Sequence, residues 1–494
     1  MGIPPSVVVT LPARDLAGVR TEAKLAHASG ADAAEVRLDR LVPGSLDSLH
    51  ELFPAPLPLQ ATLRSRAEGG EGPEEPAARR AILESALSAP FRFVDLEWER
   101  DRSWWEREPI PTTAAVVASR HLTHVPAGTD WERALEGLAG APGLTKLVFP
   151  ATVGQVLHEI LPRLSERAPT GATVLTTGAS GPILRVLGRR IGSPLVYAAL
   201  PEVARTPPVE PSQIPADRLA PFLRADGSPP WFAVVGHPVA HSLSPRIHHE
   251  WMREEGRVGL YTALDLTVED EFAASLEELA EWGARGLNVT QPFKLAAFQA
   301  ATRAEKGAEA CGAANCLTFD GSEITAENTD LAAILRRLTE LVRSTDRDPE
   351  AVAVIGAGGA ARATLAAARL LGLPATVYAR RTEEARAVAR EYEAAVGSAH
   401  DAEPAPLVVH ATNAGRSTGD RLDLPLDRLL SSGCRVVDWV YAPEEGSIRA
   451  AAERHGATYE DGRRLLVYQA AAAYSVWWGA EPSDASVQRV LEAL

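Results

Sequence analysis

The sequence is poor in cysteine. Its 494 residues include only Cys311, Cys316 and Cys434. So sparse and odd a set excludes a disulfide framework and fits a reducing compartment. Cys311 and Cys316 have no second cysteine pair or histidine run beside them, and we interpret both as small packing residues. No histidine, cysteine or carboxylate cluster has the spacing of metal ligands, so we predict no metal site.

Long apolar runs are also missing. The chain begins MGIPPSVVVTL, without a basic segment or an extended apolar core, and nowhere do about 18 apolar residues follow one another. The sequence therefore predicts neither a signal peptide nor a membrane span, and we expect a cytoplasmic protein without a membrane partner. The net charge of -15 argues against nucleic acid as a partner, because phosphate binding needs a basic surface.

The first 220 residues alternate short apolar strands with amphipathic segments such as 14–29 and 131–140. Eight strands separated by helices in so short a length predict a compact (β/α)8 barrel, with a doubly wound sheet as the alternative. The predicted strands are 6–11, 33–39, 58–64, 91–99, 114–121, 144–151, 172–179 and 194–200.

The rest of the chain contains two further α/β patterns. Residues 221–230, PFLRADGSPP, are typical of a linker, and a strand follows at WFAVVGHP. The charged stretch 342–350 precedes a third start, AVAVIGAGGAARATLAAARL, and the helix from about Leu466 onward could pack back on an earlier part. We therefore predict a barrel followed by a two-lobed α/β region. The predicted domains are 1–222, 229–340 completed by 466–494, and 341–465.

Charged residues cluster at the ends of the predicted barrel strands, and Lys146 lies within the sixth. Carboxyl ends of barrel strands face one common mouth. Burial and nearby arginines would lower the pKa of a lysine there and favour its neutral amine. Such an amine forms an imine with a ketone, which acidifies the adjacent C–H for a histidine such as His121.

The segments AAEVRLD, TLRSRAEGG, ASRH, TKLVFPAT, GRRIGSPLVYAAL and PSQIP resemble type I 3-dehydroquinate dehydratase in order and spacing over residues 6–220. The resemblance implies that Lys146 is the Schiff-base lysine and His121 the general acid/base, with Glu68 on a mobile loop near the histidine. It implies that the following residues hold the substrate carboxylate and hydroxyls: Glu35, Arg37, Arg64, Arg185 and Gln213. The chain departs from the family pattern at Leu122, Thr177 and Val209, which replace more polar or differently shaped residues.

The segment VAVIGAGGAARA predicts a strand, a glycine turn and a helix that could receive a pyrophosphate. The next strand runs into Arg380-Arg381-Thr382 rather than an acidic residue. Because arginines grip a 2′-phosphate, this predicts NADP(H) over NAD(H), with a solvated basic turn as the alternative. The residues expected at the cofactor through the turn are Gly356, Ala357, Gly358, Gly359 and Ala360.

The motifs HSLSP (241–245), GLNVTQPFK (286–294), CGAANCLTF (311–319) and ENTD (327–330) supply hydroxyls, amides, one lysine and one aspartate, which suits a polyhydroxylated substrate. From the linker to the C-terminus the chain resembles shikimate dehydrogenase. The resemblance implies a catalytic pair, Lys294 and Asp330. Implied substrate residues are Ser242, Ser244, Asn288, Thr290, Asn315, Tyr441 and Gln469, and implied cofactor residues are Thr412, Gly415 and Gly462. The segment ATNAGRSTG departs from the family's loop at this point.

The two resemblances together imply dehydration of 3-dehydroquinate to 3-dehydroshikimate and its NADPH-dependent reduction to shikimate. Three alternatives stay open: a second domain that prefers quinate, a barrel that is an inactive scaffold, and a dinucleotide sensor without turnover. The expected partners are these small molecules alone.

Overall fold

A computed structural model describes residues 5–107, 112–166, 171–267, 272–343, 350–398, 402–412, 414, 426–441 and 448–494. The chain divides into two compact units. The first comprises Met1–Trp231 with Val258–Trp282, and the second comprises Phe232–Arg257 with Gly283–Leu494. Within the described ranges, no helix is long and apolar enough to cross a membrane.

The first unit is built on an eight-stranded sheet in the order β7-β6-β5-β4-β3-β2-β1-β8. All neighbouring strands are parallel. The strands are β1 (Ser6–Leu11), β2 (Ala33–Arg37), β3 (Leu59–Thr62), β4 (Phe93–Glu97), β5 (Ala115–His121), β6 (Leu144–Pro150), β7 (Ala172–Thr177) and β8 (Leu195–Ala198). The predicted barrel and its eight strands are therefore confirmed, each within a few residues of its predicted bounds.

A side chain joins the two end strands of this sheet. The Thr173 hydroxyl donates to the Leu195 carbonyl at 3.3 Å and accepts from the Leu195 N–H at 3.2 Å. Strands covered on both faces have few polar side chains on the helix side, which explains the run Val7, Val8 and Val9 in β1, all at most 1% exposed. The interior face is different, because it carries the polar residues of the site.

The barrel helices begin where the sequence offers caps. The Asp15 carboxylate accepts from the Gly18 N–H at 2.8 Å at the start of α1, and Glu75 caps α3 in the same way. The helices of this unit are α1 (Leu16–Ala28), α2 (Pro43–Leu46), α3 (Pro76–Ser88), α4 (Trp98–Arg107), α5 (Asp130–Glu136), α6 (Val153–Gln155), α7 (Leu161–Glu166), α8 (Gly181–Val186) and α9 (Ala216–Arg224).

Two features of the first unit lie beyond the eight barrel strands. Helix α9 continues to Arg224 and buries Phe222 and Leu223, so the first part of the predicted linker is helical. Strand β10 (Leu260–Asp265) and helix α11 (Phe272–Glu281) also belong to the first unit. There Arg190 donates to the Glu281 carbonyl at 2.9 Å and its guanidinium lies 4.3 Å from the Trp282 ring centre.

The second unit contains a mixed sheet in which β9, β11, β13, β14 and β12 follow one another. Strand β13 is antiparallel to both neighbours, and β12 is parallel to β14. These strands are β9 (Trp231–Gly236), β11 (Ala284–Val289), β12 (Arg303–Ala304), β13 (Cys316–Asp320) and β14 (Glu323–Glu327). Helices of this part are α10 (Ser244–Glu254), α12 (Lys294–Ala300), α13 (Lys306–Cys311), α14 (Thr329–Arg343), α19 (Arg463–Trp478) and α20 (Asp484–Ala493).

The other sheet of the second unit is parallel, in the order β17-β16-β15-β18-β19-β20. Its strands are β15 (Val352–Ile355), β16 (Ala375–Tyr378), β17 (Ala395–Val396), β18 (Leu407–His410), β19 (Arg435–Asp438) and β20 (Thr458–Glu460). Helices α15 (Gly359–Leu370), α16 (Thr382–Tyr392), α17 (Leu426–Leu429) and α18 (Ile448–His455) accompany it. The strand order reverses beside β15, where nucleotides bind in sheets of this kind, which agrees with the predicted dinucleotide fold.

The C-terminal helix α19 packs against α14 and α10. At its end the Trp477 ring stacks on Phe232, with ring centres 4.6 Å apart, and its indole N–H donates to the Leu317 carbonyl at 3.2 Å. Gly286 on β11 makes room for this ring, since an added Cβ would lie 2.3 Å from Trp477 Nε1 and 2.7 Å from the Leu317 oxygen.

We predict that Gly286→Ala lowers the free energy of unfolding by about 1–3 kcal/mol, because the backbone oxygen of Leu317 cannot yield as a flexible side chain would. The matched control is Gly307→Ala in α13, where the nearest neighbour of an added Cβ is 3.8 Å away. Urea unfolding followed by tryptophan fluorescence measures both variants. Equal stability of the two would contradict this explanation of Gly286.

Candidate active sites

The barrel mouth holds a cavity of about 610 Å³. Every barrel residue that the sequence analysis placed at a site lines it: Glu35, Arg37, Arg64, His121, Lys146, Arg185 and Gln213. The three residues that depart from the family pattern, Leu122, Thr177 and Val209, line the same cavity. Leu122 and Val209 therefore place apolar side chains on the wall of the site where the family pattern has polar ones.

Lys146 lies inside the barrel on β6 and is 2% exposed. Its Nζ is 2.5 Å from Asp95 Oδ2 and 3.8 Å from Glu35 Oε1. Burial alone would raise the pKa of the Asp95 carboxyl, but the charges of Arg64 and Lys146 hold that pKa below its ordinary value. The sequence analysis anticipated arginines near the lysine but missed Asp95, its nearest charged partner.

Alternation along β4 could have identified Asp95. Successive side chains of a strand point to opposite faces, so Asp95 and Glu97 project to the same side. The Arg64 guanidinium joins both, at 2.8 Å from Asp95 Oδ1 and 3.2 Å from Glu97 Oε1. Arg64 is thus held among carboxylates at the base of the cavity.

Glu68 and His121 form the second group of the barrel site. Glu68 Oε2 accepts from the His121 backbone N–H at 3.0 Å, lies 3.4 Å from its Nδ1 and pairs with Arg64 at 2.7 Å. Burial raises the pKa of Glu68 to about 7, against the opposing charge of Arg64. Burial also lowers the pKa of His121 well below its ordinary value, and the charges of Arg64, Lys146 and Arg37 act in the same direction. His121 is therefore neutral at physiological pH.

Arg37, Arg185 and Gln213 complete the polar lining of the cavity. Arg37 forms a bidentate pair with Asp39 at 2.9 and 2.7 Å. Arg185 donates to the backbone carbonyls of Tyr197, Thr176 and Gly181, and its remaining terminal nitrogen is 3.4 Å from Glu210 Oε2. The Gln213 amide donates to Thr10 Oγ1 at 3.1 Å.

The second unit holds a cavity of about 500 Å³. The residues that the sequence analysis assigned to the substrate or to proton transfer all line it: Ser242, Ser244, Asn288, Thr290, Lys294, Asn315, Asp330, Tyr441 and Gln469. The cavity is also lined by Gly358, Gly359, Ala360, Arg381, Thr412 and Gly462. Gly356, Ala357, Arg380 and Thr382 do not line it, and Gly415 lies outside the described residues.

Lys294 and Asp330 form an ion pair, with Nζ and Oδ2 2.5 Å apart. Each begins a helix, Lys294 as the first residue of α12 and Asp330 in the first turn of α14. A helix N-terminus favours the Asp330 carboxylate. Asn315 donates to Asp330 Oδ1 at 3.0 Å and accepts from the Thr329 N–H at 2.6 Å, so both oxygens of Asp330 have partners.

The polar side chains around this pair are held by local contacts. Asn288 donates to the Asn315 carbonyl at 3.1 Å, Ser242 accepts from the Ser244 N–H at 3.3 Å, and Gln469 donates to the Leu466 carbonyl at 2.9 Å. The hydroxyl and amide groups of these residues line the cavity, a composition that suits a polyhydroxylated ligand.

The glycine turn approaches its neighbours closely enough to need glycine. Gly356 has φ +125°, and an added Cβ would meet the Ala411 oxygen at 2.6 Å. At Gly359 the same atom would lie 2.9 Å from Lys294 Cδ. The turn, with the N-terminus of α15 behind it, is therefore a cradle open to a pyrophosphate and next to the lysine.

A buried network of hydrogen bonds lies beneath Thr412, and it was not predicted from the sequence. His410 is fully buried, with Nδ1 2.7 Å from Asp438 Oδ1 and Nε2 2.6 Å from Thr412 Oγ1. Tyr459 donates to Asp438 Oδ2 at 2.8 Å. Both His410 and Asp438 end parallel strands, which is the only sequence signal that could have joined them.

A barrel with a buried lysine and a dinucleotide fold with a lysine–aspartate pair define a two-site α/β enzyme, a lyase joined to an oxidoreductase. Residues 7–229 match the family model for type I 3-dehydroquinase, and residues 234–317 match the model for the shikimate dehydrogenase substrate binding domain. The chain is 38% identical over 259 residues to the shikimate dehydrogenase (NADP(+)) of Acidiphilium cryptum, covering 50% of this chain and 90% of that one. It therefore belongs to the shikimate dehydrogenase family, with a type I 3-dehydroquinase region at its N-terminus.

The chain is also similar to solved structures, among them the following two. Shikimate 5-dehydrogenase of Thermus thermophilus, in complex with NADP(H) and shikimate, is 31% identical with a TM-score of 0.48, covering 53% of this chain and 99% of its own. The dehydroquinate dehydratase and shikimate dehydrogenase of S. pombe is 22% identical with a TM-score of 0.43, covering 99% of this chain and 98% of its own.

The pKa of Glu68 predicts a titration in the barrel activity. Above pH of about 7 the Glu68 carboxylate can hold the Nδ1–H tautomer of His121, and below it the protonated carboxyl cannot. We therefore expect kcat/KM for dehydration to rise with pH through about 7. This rising limb of the pH–rate profile should be absent in Glu68→Gln. Stopped-flow absorbance of the enone product measures both profiles, and an unchanged limb in the variant would assign the titration to another group.

Proposed function

We propose that the chain carries out two consecutive reactions on one cyclic carboxylic acid. The barrel site dehydrates 3-dehydroquinate to 3-dehydroshikimate, and the site of the second unit reduces this ketone to shikimate with NADPH. The two family matches support the pairing, because the product of the first reaction is the substrate of the second. The chain is a bifunctional enzyme of the shikimate pathway, which leads to chorismate and the aromatic amino acids.

The observation that carries the first activity is the Lys146 amine, buried against Asp95 at the base of the barrel cavity. Its nitrogen attacks the substrate ketone and forms an iminium ion with loss of water. The iminium acidifies the adjacent C–H, from which His121 removes a proton. His121 then returns that proton to the departing hydroxyl, which leaves as water and creates the C=C bond.

The remaining polar residues of the cavity hold the substrate in this mechanism. Arg185 and Gln213 both line the cavity, where a carboxylate could meet a guanidinium and an amide together. Glu35 and Arg37 from β2, and Arg64 just after β3, would face the hydroxyl groups. Glu68 keeps His121 oriented through the contacts described above.

The second activity is carried by the Lys294–Asp330 pair. Bound NADPH supplies the hydride. The Lys294 ammonium, held by Asp330, delivers a proton to the oxygen that becomes the new hydroxyl. The residues that bind the substrate are Ser242, Ser244, Asn288, Thr290, Asn315, Tyr441 and Gln469.

The glycine turn would hold the cofactor, with the backbone of the lining residues Gly358, Gly359 and Ala360 toward the pyrophosphate and Arg381 toward the 2′-phosphate. We assign Gly356 and Ala357 to shaping the turn, Arg380 and Thr382 to the phosphate side, and Thr412, Gly415 and Gly462 to the cofactor's remaining border. The corresponding domains are 1–222 for dehydration, 229–340 with 466–494 for substrate binding and 341–465 for NADP. We place the enzyme in the cytoplasm with small molecules as its partners.

We expect the two activities to separate by mutation. Lys146→Ala should abolish dehydration and leave reduction of 3-dehydroshikimate unchanged. Lys294→Ala should reduce the second rate roughly 10²–10⁴-fold and leave the first unchanged. Enone absorbance and NADPH oxidation measure the two reactions in one chain, and each variant is the folding control for the other. If either change removed both activities from a folded protein, the two-site assignment would be wrong.

The alternatives give distinct results in the same experiments. A borohydride-trapped adduct of 3-dehydroquinate on the peptide containing Lys146 supports the Schiff base, and its absence would make the barrel a scaffold. Faster oxidation of quinate than of shikimate with NADP+ would reassign the second substrate. NADPH binding without turnover would indicate that the second unit is a dinucleotide sensor.

Cofactor choice should depend on Arg381 more than on Arg380, because Arg381 alone of the two lines the cavity. Loss of a charge-assisted contact to the 2′-phosphate should raise KM for NADP+ about tenfold or more in Arg381→Ala, with little change for NAD+. The control is Arg386→Ala, a solvent-exposed arginine of the same helix that pairs with Glu383. Equal effects on both cofactors would place the 2′-phosphate elsewhere.

A further inference from the structure

The hydroxyl of Tyr197 lies beside the reactive amine of the barrel. Tyr197 is on β8, is 4% exposed and lines the cavity. Its Oη is 3.4 Å from Lys146 Nζ, and Nζ is 4.4 Å from the centre of its ring. None of the roles assigned above uses this hydroxyl, although Tyr197 and Asp95 are both within reach of the nitrogen.

The direction of the tyrosine hydrogen bond is set by Gln60. The Gln60 amide nitrogen donates to Glu35 Oε1 at 3.3 Å and to Thr62 Oγ1 at 3.0 Å. Its oxygen is therefore turned to Tyr197, whose hydroxyl donates to it at 2.9 Å. The phenol hydrogen is thus committed to Gln60, and the oxygen presents only lone pairs to Lys146.

The phenol stays protonated in this setting. Burial raises the pKa of Tyr197 well above its ordinary value, and the nearby carboxylates of Glu35 and Asp95 act in the same direction. Tyr197 is therefore a neutral acceptor toward the lysine nitrogen at any pH at which the enzyme works.

We propose that Tyr197 is a positioning residue for the Schiff-base step, which orients the Lys146 amine by accepting one of its N–H groups. A neutral lysine amine has N–H donors and one lone pair. With Asp95 Oδ2 at 2.5 Å and Tyr197 Oη as acceptors for the two N–H groups, the lone pair points away from both oxygens and is left for the substrate carbonyl. This inference rests on the proposed function of the barrel.

The same contacts account for the protons of the step. The Lys146 ammonium first passes one proton to Asp95, and the neutral amine and the ketone then give an iminium ion and water as Asp95 returns that proton to the departing oxygen. The N–C bond forms, the C–O bond breaks, and the protons that leave the nitrogen end on the departing oxygen. Asp95 and the Tyr197 oxygen are the acceptors along which those N–H groups are aligned before attack.

The hydroxyl can be tested apart from the ring. Tyr197→Phe keeps the ring over Nζ and removes only Oη, whereas Gln60→Leu keeps Oη and frees its hydrogen to occupy the lysine lone pair. We expect kcat for dehydration to fall about tenfold to a hundredfold in Tyr197→Phe, as for loss of a hydrogen bond to a charged group, with KM changed less than about threefold. Gln60→Leu should also lower kcat for dehydration.

The decisive measurement is the rate of adduct formation with 3-dehydroquinate, followed by rapid quenching into borohydride and mass analysis of the Lys146 peptide. Tyr261→Phe is the matched control, a buried tyrosine of the same unit on β10 and outside the barrel cavity. Reduction of 3-dehydroshikimate by the same preparations reports that each variant is folded.

The outcomes separate the inference from the function on which it rests. A slower adduct in Tyr197→Phe, with normal reduction and a normal Tyr261→Phe, supports the positioning role. Equal adduct rates in wild type and Tyr197→Phe overturn it and leave the Schiff base standing. A fall confined to KM overturns it too, because that result makes Tyr197 a substrate contact. No adduct in the wild type overturns both.

Discussion

The barrel interior depends on keeping two buried cations, Lys146 and Arg64, in contact with carboxylates. Removing one partner of such a pair costs about 3–5 kcal/mol, because the other charge is left without compensation. Asp95 is the shared partner, 2.5 Å from the lysine and 2.8 Å from the arginine. The two cations therefore cannot be positioned independently. Ion pairs join the chain segments that carry them, in addition to the backbone hydrogen bonds between the strands.

The second unit also holds a lysine against a carboxylate, but with fewer buried charges around the pair. Its lysine–aspartate pair lies at the starts of α12 and α14, where backbone N–H groups already favour the carboxylate. Asn315 holds the aspartate from the side. Both sites thus keep an ammonium against a carboxylate. In the barrel, strands enclose the Lys146 ammonium. In the second unit, Lys294 at the start of α12 faces the cavity and the glycine turn.

Strand periodicity and motif order were enough to predict the barrel, the dinucleotide fold and most of the polar residues that line each cavity. They were not enough for Asp95, Tyr197 and His410, whose roles depend on which strands become neighbours. Asp95 meets Lys146 across the barrel interior rather than along the chain, and His410 meets Asp438 through adjacent strand ends. The end of α9 was missed for a simpler reason: Pro221, the first residue of the predicted linker, lies inside the helix, just before the buried Phe222 and Leu223.

The surroundings of Arg185 show what the departures from the family pattern mean physically. Backbone carbonyls of Tyr197, Thr176 and Gly181 occupy one edge of the guanidinium, so only its other terminal nitrogen is left for a ligand. Glu210 Oε2 already lies 3.4 Å from that nitrogen, next to Val209. A substrate carboxylate bound as proposed would therefore share this nitrogen with Glu210. Since the Val209 side chain offers no hydrogen bond, such binding would depend on the whole polar cavity rather than on the arginine alone.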